Sequence, residues 1–206
     1  MLELYIAVIA ALFSVVNPLG AIPVFLAMTP EHTVEERRST ALHASLYFFV
    51  ILAAFFFAGS AILGFFGITL TSLRIAGGII IFGSGAQLLS GSMSQSRTIN
   101  KEIKAEALVK EDISFTPLAM PLLSGPGSIS LMIGYYSTYP DLTSRGTIIG
   151  SLLTLTLIVF LILRTSPLIF RILGVAGIRA ISRIMGFIVM AIGVELITSS
   201  ISEVLR

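Results

Sequence analysis

The sequence predicts an all-α integral membrane protein with six transmembrane helices, and three observations carry that prediction. The 206-residue chain is 55% hydrophobic and only 12% charged, where soluble proteins average roughly 25% charged residues. Its apolar residues fall into six runs, each long enough to cross a hydrocarbon core that takes about 20 helical residues. Its Lys and Arg residues gather on alternate connections between those runs. A mean hydropathy of +0.99 leaves a surface that only lipid can solvate. The runs are continuously apolar rather than alternating, which argues against an outer-membrane β-barrel. No cysteine is present, which excludes disulfides and thiolate chemistry. The net charge of +2 is no nucleic-acid footprint, because the few basic residues sit between apolar runs.

The first run, residues 2–30, lacks the basic residues that open a signal peptide and extends past a typical h-region. It contains Ser14, Asn17-Pro18-Leu19-Gly20 and Pro23. The second, 40–64, carries Phe55-Phe56-Phe57 and has His43 near its start as a packing or interfacial residue. In the third, 68–91, the pairs Gly77/Ser84 and Gly78/Gly85 recur at a spacing of seven, which puts small residues on one face for close helix packing. A polar linker over 92–112 alternates Lys and Arg with Glu and Asp. The fourth run, 113–137, holds Pro117, Pro121 and Ser124-Gly125-Pro126-Gly127-Ser128. The fifth spans 145–165, and Pro167 to Ile178 reads as a segment lying along the interface. The sixth, 179–202, contains Glu195.

Orientation follows from charge. Ten of the thirteen Lys and Arg residues lie in the connections after the first, third and fifth helices, leaving Arg74, Arg145 and Arg206 on the other side. The odd connections are therefore expected in the cytoplasm, with both termini outside.

The two halves of the chain also resemble each other. Arg38-Ser39-Thr40 matches Arg145-Gly146-Thr147 at an offset of 107, and Phe66-Gly67-Ile68 matches Leu173-Gly174-Val175 at the same offset. Arg74-Ile75-Ala76-Gly77 matches Arg183-Ile184-Met185-Gly186 at 109, and Pro18 matches Pro126 at 108. Each half has three crossings, so the second must enter from the opposite face. The expected architecture is a single membrane domain, 1–206, built as a 3+3 inverted-topology repeat: 1–91, the linker 92–112, and 113–206.

Each repeat opens with a broken helix. Proline inside a helix removes a hydrogen bond and clashes with the preceding turn at a cost of about 3 kcal/mol. In lipid the freed backbone groups survive only within the bundle or beside a wet cavity. Both proline-glycine clusters fall at the middle of their runs, hence near the bilayer centre. Half-helix N-termini there favour a carboxylate. Carbonyl ends, Asn17, Ser124 and Ser128 suit an ammonium group, so a small zwitterion fits. The alternative is that both prolines simply kink packed helices.

The segments Asn17-Pro18-Leu19-Gly20-Ala21-Ile22-Pro23 and Pro117-Leu118-Ala119-Met120-Pro121-Leu122-Leu123-Ser124-Gly125-Pro126-Gly127 resemble the two hallmark segments of the MarC family of six-helix membrane proteins. Arg74-Ile75-Ala76-Gly77-Gly78 and Arg183-Ile184-Met185-Gly186 are similar to its third- and sixth-helix segments, so the likeness covers nearly the whole chain. The resemblance implies a protein of the cytoplasmic membrane and transport of small neutral amino acids such as glycine and alanine. It implies substrate contacts at Asn17, Pro18, Gly20, Ser124, Gly125, Pro126, Gly127 and Ser128.

Glu195 is the one carboxylate well inside a predicted span, and buried ionisable groups there are functional candidates. Gln87 occupies a comparable position in the third helix. They are candidate coupling residues, with a proton favoured over sodium as coupling ion; hydrogen bonding of Glu195 near the outer rim is the alternative. No cofactor or metal is implied, the expected partners are the solute and membrane lipid, and no oligomeric state is legible. A channel or an exporter for another small solute is the competing function, since paired half-helices also frame selectivity filters. An enzyme is not expected: Leu123-Ser124-Gly125 lacks the upstream glycine of a membrane-protease motif, and neither His32 nor His43 sits deep in a span.

Overall fold

The computed structural model describes residues 1–90 and 113–204, and these are helical apart from short turns. In chain order the elements are α1 (Leu2–Val16), α2 (Pro18–Met28), α3 (Val34–Phe66), α4 (Leu70–Ser90), α5 (Ser114–Leu123), α6 (Pro126–Thr138), α7 (Leu142–Arg164) and α8 (Ser166–Val204). Among them α3, α4, α7 and α8 are each long and apolar enough to cross a membrane. The pairs α1–α2 and α5–α6 reach that length together, each bent at a short break, by 42° and 69°. Four crossings become six when each bent pair counts as one, as the six apolar runs predict. The linker expected over 92–112 lies outside the described residues.

Three helices, α3, α7 and α8, start earlier than hydropathy suggests. The chain enters α3 six residues ahead of the expected residue 40 because Thr33 and Glu36 form a reciprocal capping box. The Glu36 N–H donates to Thr33 Oγ1 at 3.2 Å, and the Thr33 N–H donates to the Glu36 carboxylate at 2.8 Å. The segment expected to lie along the interface, Pro167 to Ile178, is helical and continuous in sequence with the last span. Gly174, at φ 59 and ψ −176, breaks α8 there, a conformation that suits glycine. On the opposite side α7 begins at Asp141, whose carboxylate accepts from the Ser144 N–H at 2.7 Å. That bond holds the Asp141 carboxyl below its ordinary pKa.

Lipid tails are as apolar as leucine, so close packing has to hold helices together in a bilayer. The seven-residue glycine spacing of α4 does this against α8. A Cβ added at Gly78 would lie 2.7 Å from the Gly193 carbonyl oxygen, and one at Gly193 would lie 2.7 Å from the Gly78 carbonyl oxygen. Gly85 and Gly186 face each other likewise, at 2.6 and 2.8 Å. The helices therefore cross antiparallel, backbone on backbone. Of the expected small residues, Ser84 is the exception, exposed and bonded to the Ile80 carbonyl. A core of Leu12, Phe25, Phe48, Leu52, Phe56, Leu118, Met132, Ile148, Leu152 and Leu155 fills the space between α1, α2, α3, α5, α6 and α7. Within the phenylalanine triplet Phe56 is buried in that core and Phe57 is exposed.

Candidate functional site

The first break is a single residue. Asn17 sits in the left-handed region at φ 47, ψ 60, the one non-glycine residue with positive φ among those described. Its N–H still closes α1 on the Phe13 carbonyl at 2.9 Å. Its side-chain Oδ1 starts α2 by accepting from the Gly20 N–H at 3.2 Å, and Pro18 supplies the first turn, where the missing N–H costs nothing. Asparagine tolerates this conformation better than other side chains and is a preferred N-cap. Gly20 is required beneath it, because a Cβ there would run into the Asn17 amide.

The second break is wider. Pro117 and Pro121 cannot donate, and Thr116 and Met120 before them take extended dihedrals, as a residue ahead of proline tends to do. The turns between them use the longer i→i−5 bond: the Leu118 N–H donates to the Ile113 carbonyl at 3.3 Å, and the Ser124 N–H to the Ala119 carbonyl at 2.8 Å. Such turns cluster at functional sites. Gly125, extended at φ −76 and ψ 168, then caps α6 without a side chain, and Pro126 opens it. The amides of Gly127 and Ser128 thus lie in a first turn that no side chain caps, while the Ile129 N–H is bonded to the Gly125 carbonyl at 3.2 Å.

Burial separates the predicted contacts. Asn17, Pro18, Ser124, Gly127 and Ser128 are buried, Gly20 and Gly125 are half-buried, and Pro126 is exposed. The Ser128 hydroxyl is spent on the Gly125 carbonyl at 2.9 Å. The Ser124 hydroxyl is not spent: the residue is 1% exposed and its Oγ has no hydrogen-bond partner. An orphaned hydroxyl of this kind costs about 1–3 kcal/mol. Among the described residues Ser166, at the start of α8, is the other such case.

The two breaks meet. A Cβ on Gly127 would lie 3.1 Å from Val15 Cγ1, two residues before Asn17, and 2.8 Å from Ile81 Cγ1 on α4. Along the outer flank of α1 runs a cavity of about 310 Å³, lined by Ile6, Ile9, Ala10, Phe13, Ser14 and Met185. It reaches to within one turn of Asn17. The Ser14 hydroxyl there is bonded to the Ala10 carbonyl at 2.8 Å.

Glu195 and Gln87 are not brought to the breaks. Both are exposed on the outside of the α4–α8 pair. Glu195 lies two residues beyond Gly193, and Arg74 four residues beyond the facing Gly78, so the two stand within about 3 Å of the same depth at 1.5 Å per residue. Sequence reading missed Val15 and Ile81, which are ordinary apolar residues in apolar runs. It also gave Arg37 and Arg145 no structural bond, counting Arg37 as a charge and Arg145 as a charge and a repeat match. Arg37 donates from Nη2 to the Thr29 carbonyl at 2.7 Å, at the end of α2. Arg145 donates from Nε to the Tyr139 carbonyl at 3.1 Å, at the end of α6, and its guanidinium lies 3.7 Å over the Tyr136 ring. His43, exposed, bonds the Ser39 carbonyl on its own helix. No group of acidic, His or Cys residues able to hold a metal occurs among the described residues.

Two bent apolar pairs, four long apolar helices and a cluster of half-helix ends between them define a multi-pass integral membrane protein. The family described as MarC family integral membrane protein matches residues 2–205, and the chain belongs to it. It is 39% identical to a UPF0056 membrane protein of Buchnera aphidicola (Schizaphis graminum subspecies), over 98% of this chain and 93% of the relative. It is 37% identical to the UPF0056 membrane protein YhcE of Escherichia coli K12, over 97% and 93%. It is 34% identical to the UPF0056 inner membrane protein MarC of Salmonella arizonae, over 100% and 99%. No solved structure matches the chain.

Proposed function

We propose that the chain is a secondary transporter of small neutral amino acids, such as glycine and alanine, working across the cytoplasmic membrane by alternating access. The observation that carries the reading is the buried, unpartnered Ser124 hydroxyl at the open N-terminus of α6, beside the break at Asn17. The free amides and the positive end of α6 favour a carboxylate, with the Ser124 hydroxyl as an additional donor. The carbonyl end of α1 favours the ammonium group. Most of each helix end is satisfied internally, which leaves room for few ligand bonds and suits a small zwitterion.

The inverted 3+3 repeat belongs to the same reading, and an offset of 108 supports it. Pro18 and Pro126 each open a second half-helix. One residue short of the 109 that pairs Gly77 with Gly186 in sequence, that offset aligns Gly78 and Gly85 with Gly186 and Gly193, and each packs on the counterpart of the other, as a two-fold axis between α4 and α8 requires. Arg37 and Arg145 each reach back from the next helix to the last carbonyls of a second half-helix, at opposite faces.

In proteoliposomes, labelled glycine and alanine should enter saturably and show counterflow. Ser124→Ala removes one hydrogen bond to a charged ligand, worth about 1.5–3 kcal/mol, so KM should rise by about 10- to 100-fold with folding intact. Normal KM in both Ser124→Ala and Asn17→Ala would place the substrate elsewhere. Flux without saturation or counterflow would mean a channel. Imposed proton and sodium gradients, repeated in Glu195→Gln, test whether a proton is coupled through that carboxyl.

A further inference from the structure

We propose that Ile81 is the wall that limits the size of the transported solute; the inference rests on reading the breaks as the substrate site. Contacts along α4 descend α6 in steps. The Arg74 guanidinium bonds the Thr138 hydroxyl at the outer end of α6. Gly77 lies against Ser130, where an added Cβ would come within 2.6 Å of the serine Cβ. Ile81 lies against Gly127, at the turn where α6 begins. Ile81 is thus the residue of α4 that stands level with the open amides, and it is fully buried.

The direction of its contact matters. In a helix the Cα–Cβ bond tilts toward the N-terminus. A side chain on Gly127 would grow toward the uncapped end of α6, and in that direction stand Ile81 Cγ1 at 2.8 Å and Val15 Cγ1 at 3.1 Å. These two branched side chains press on bare glycine backbone, leaving no slack for a side chain on Gly127 itself. A carboxylate held on the Gly127 and Ser128 amides carries its α-substituent into space bounded by the same two groups. On this reading hydrogen or methyl passes beside them, whereas a branched or longer substituent meets the Ile81 side chain. Isoleucine is β-branched and restricted at χ1, so it yields little.

The test is a competition panel of glycine, alanine, threonine, valine and leucine against purified, reconstituted protein. In Ile81→Ala the valine-to-glycine uptake ratio should rise about tenfold or more, the scale on which hydrophobic pockets sense a few methylenes. Ile81→Val, which changes the packing less, should shift the ratio in the same direction by a smaller factor and covers the case in which alanine unfolds the bundle. Ile80→Ala, on the exposed side of the same helix, should leave the ratio unchanged. Equal ratios in wild type and both Ile81 variants would overturn the wall. If wild type moves neither glycine nor alanine, the functional reading falls instead, and the same solutes read as thermal stabilisation of the purified protein decide the wall. Ile81→Ala must then be stabilised by solutes larger than any that stabilise wild type, and an unchanged set overturns it.

Discussion

Asn17 concentrates the chemistry of the first break in one residue. It ends α1 with its N–H and starts α2 with its side chain, while its own backbone stays left-handed. These roles can be separated by substitution. Asn17→Ala loses the cap and also forces a Cβ with no compensating polar group into a region that costs about 1–2 kcal/mol. Asn17→Gly loses the side-chain bond but relieves the backbone, and glycine at an N-cap costs only a few tenths of a kcal/mol. Thermal midpoints in detergent should therefore fall in the order wild type, Asn17→Gly, Asn17→Ala. A midpoint for Asn17→Ala equal to that of wild type would mean that the break is held by the surrounding bundle and not by this residue. At the second break no such residue exists: two prolines impose the geometry, and Ser124 is left with a hydroxyl that serves no structural bond.

The helices differ in what holds them. The α4–α8 pair has a glycine seam in which backbone meets backbone, whereas α6 is tied to α7 through Arg145 and to α4 through Arg74. A side chain can swing away from an added methyl, but a carbonyl oxygen 2.7 Å away in a packed helix cannot without moving the helix. Gly78→Ala should accordingly cost about 1–3 kcal/mol, the range for overpacking. Gly83→Ala, with open space where its Cβ would go, should be neutral or stabilising, since alanine is favoured over glycine in helices by about 1 kcal/mol. A melt in which Gly78→Ala matches Gly83→Ala would show that the seam is looser than its distances. Much at this scale is legible in sequence. Apolar runs place every span, proline and glycine place both breaks, and heptad spacing marks the α4 seam. The start of α3 escapes hydropathy because the Thr33–Glu36 box is polar, although the box itself is written in the sequence. Ile81 and Val15 escape altogether: nothing local distinguishes an isoleucine that walls a site from one that meets lipid, and only the approach of α4 and α1 to Gly127 does so.

At the scale of the molecule the open quantity is orientation, because helix packing is the same whichever face is outside. Charge biases it through insertion, with ten Lys and Arg on the odd connections against three elsewhere, counted in short connections where the rule applies. The proposed inverted repeat adds a constraint that charge alone does not. If α1–α2 runs inward from the outer face, α5–α6 runs outward, so the turn at Glu31 and the turn at Pro140 must lie on opposite sides, as must the two arginine ties at Thr29 and Tyr139. The absence of cysteine makes this directly measurable, since a single introduced thiol has no background. In intact cells, a membrane-impermeant maleimide should label Gly67→Cys and Pro140→Cys, both exposed. Glu31→Cys and Arg164→Cys, also exposed, should react only after the membrane is opened. The reverse pattern would keep the repeat and invert the orientation, placing charge in conflict with topology. Labelling of Glu31→Cys and Pro140→Cys from the same side would break the repeat itself. The two breaks would then enter the membrane in the same sense, and a site built on opposed half-helices would lose its basis.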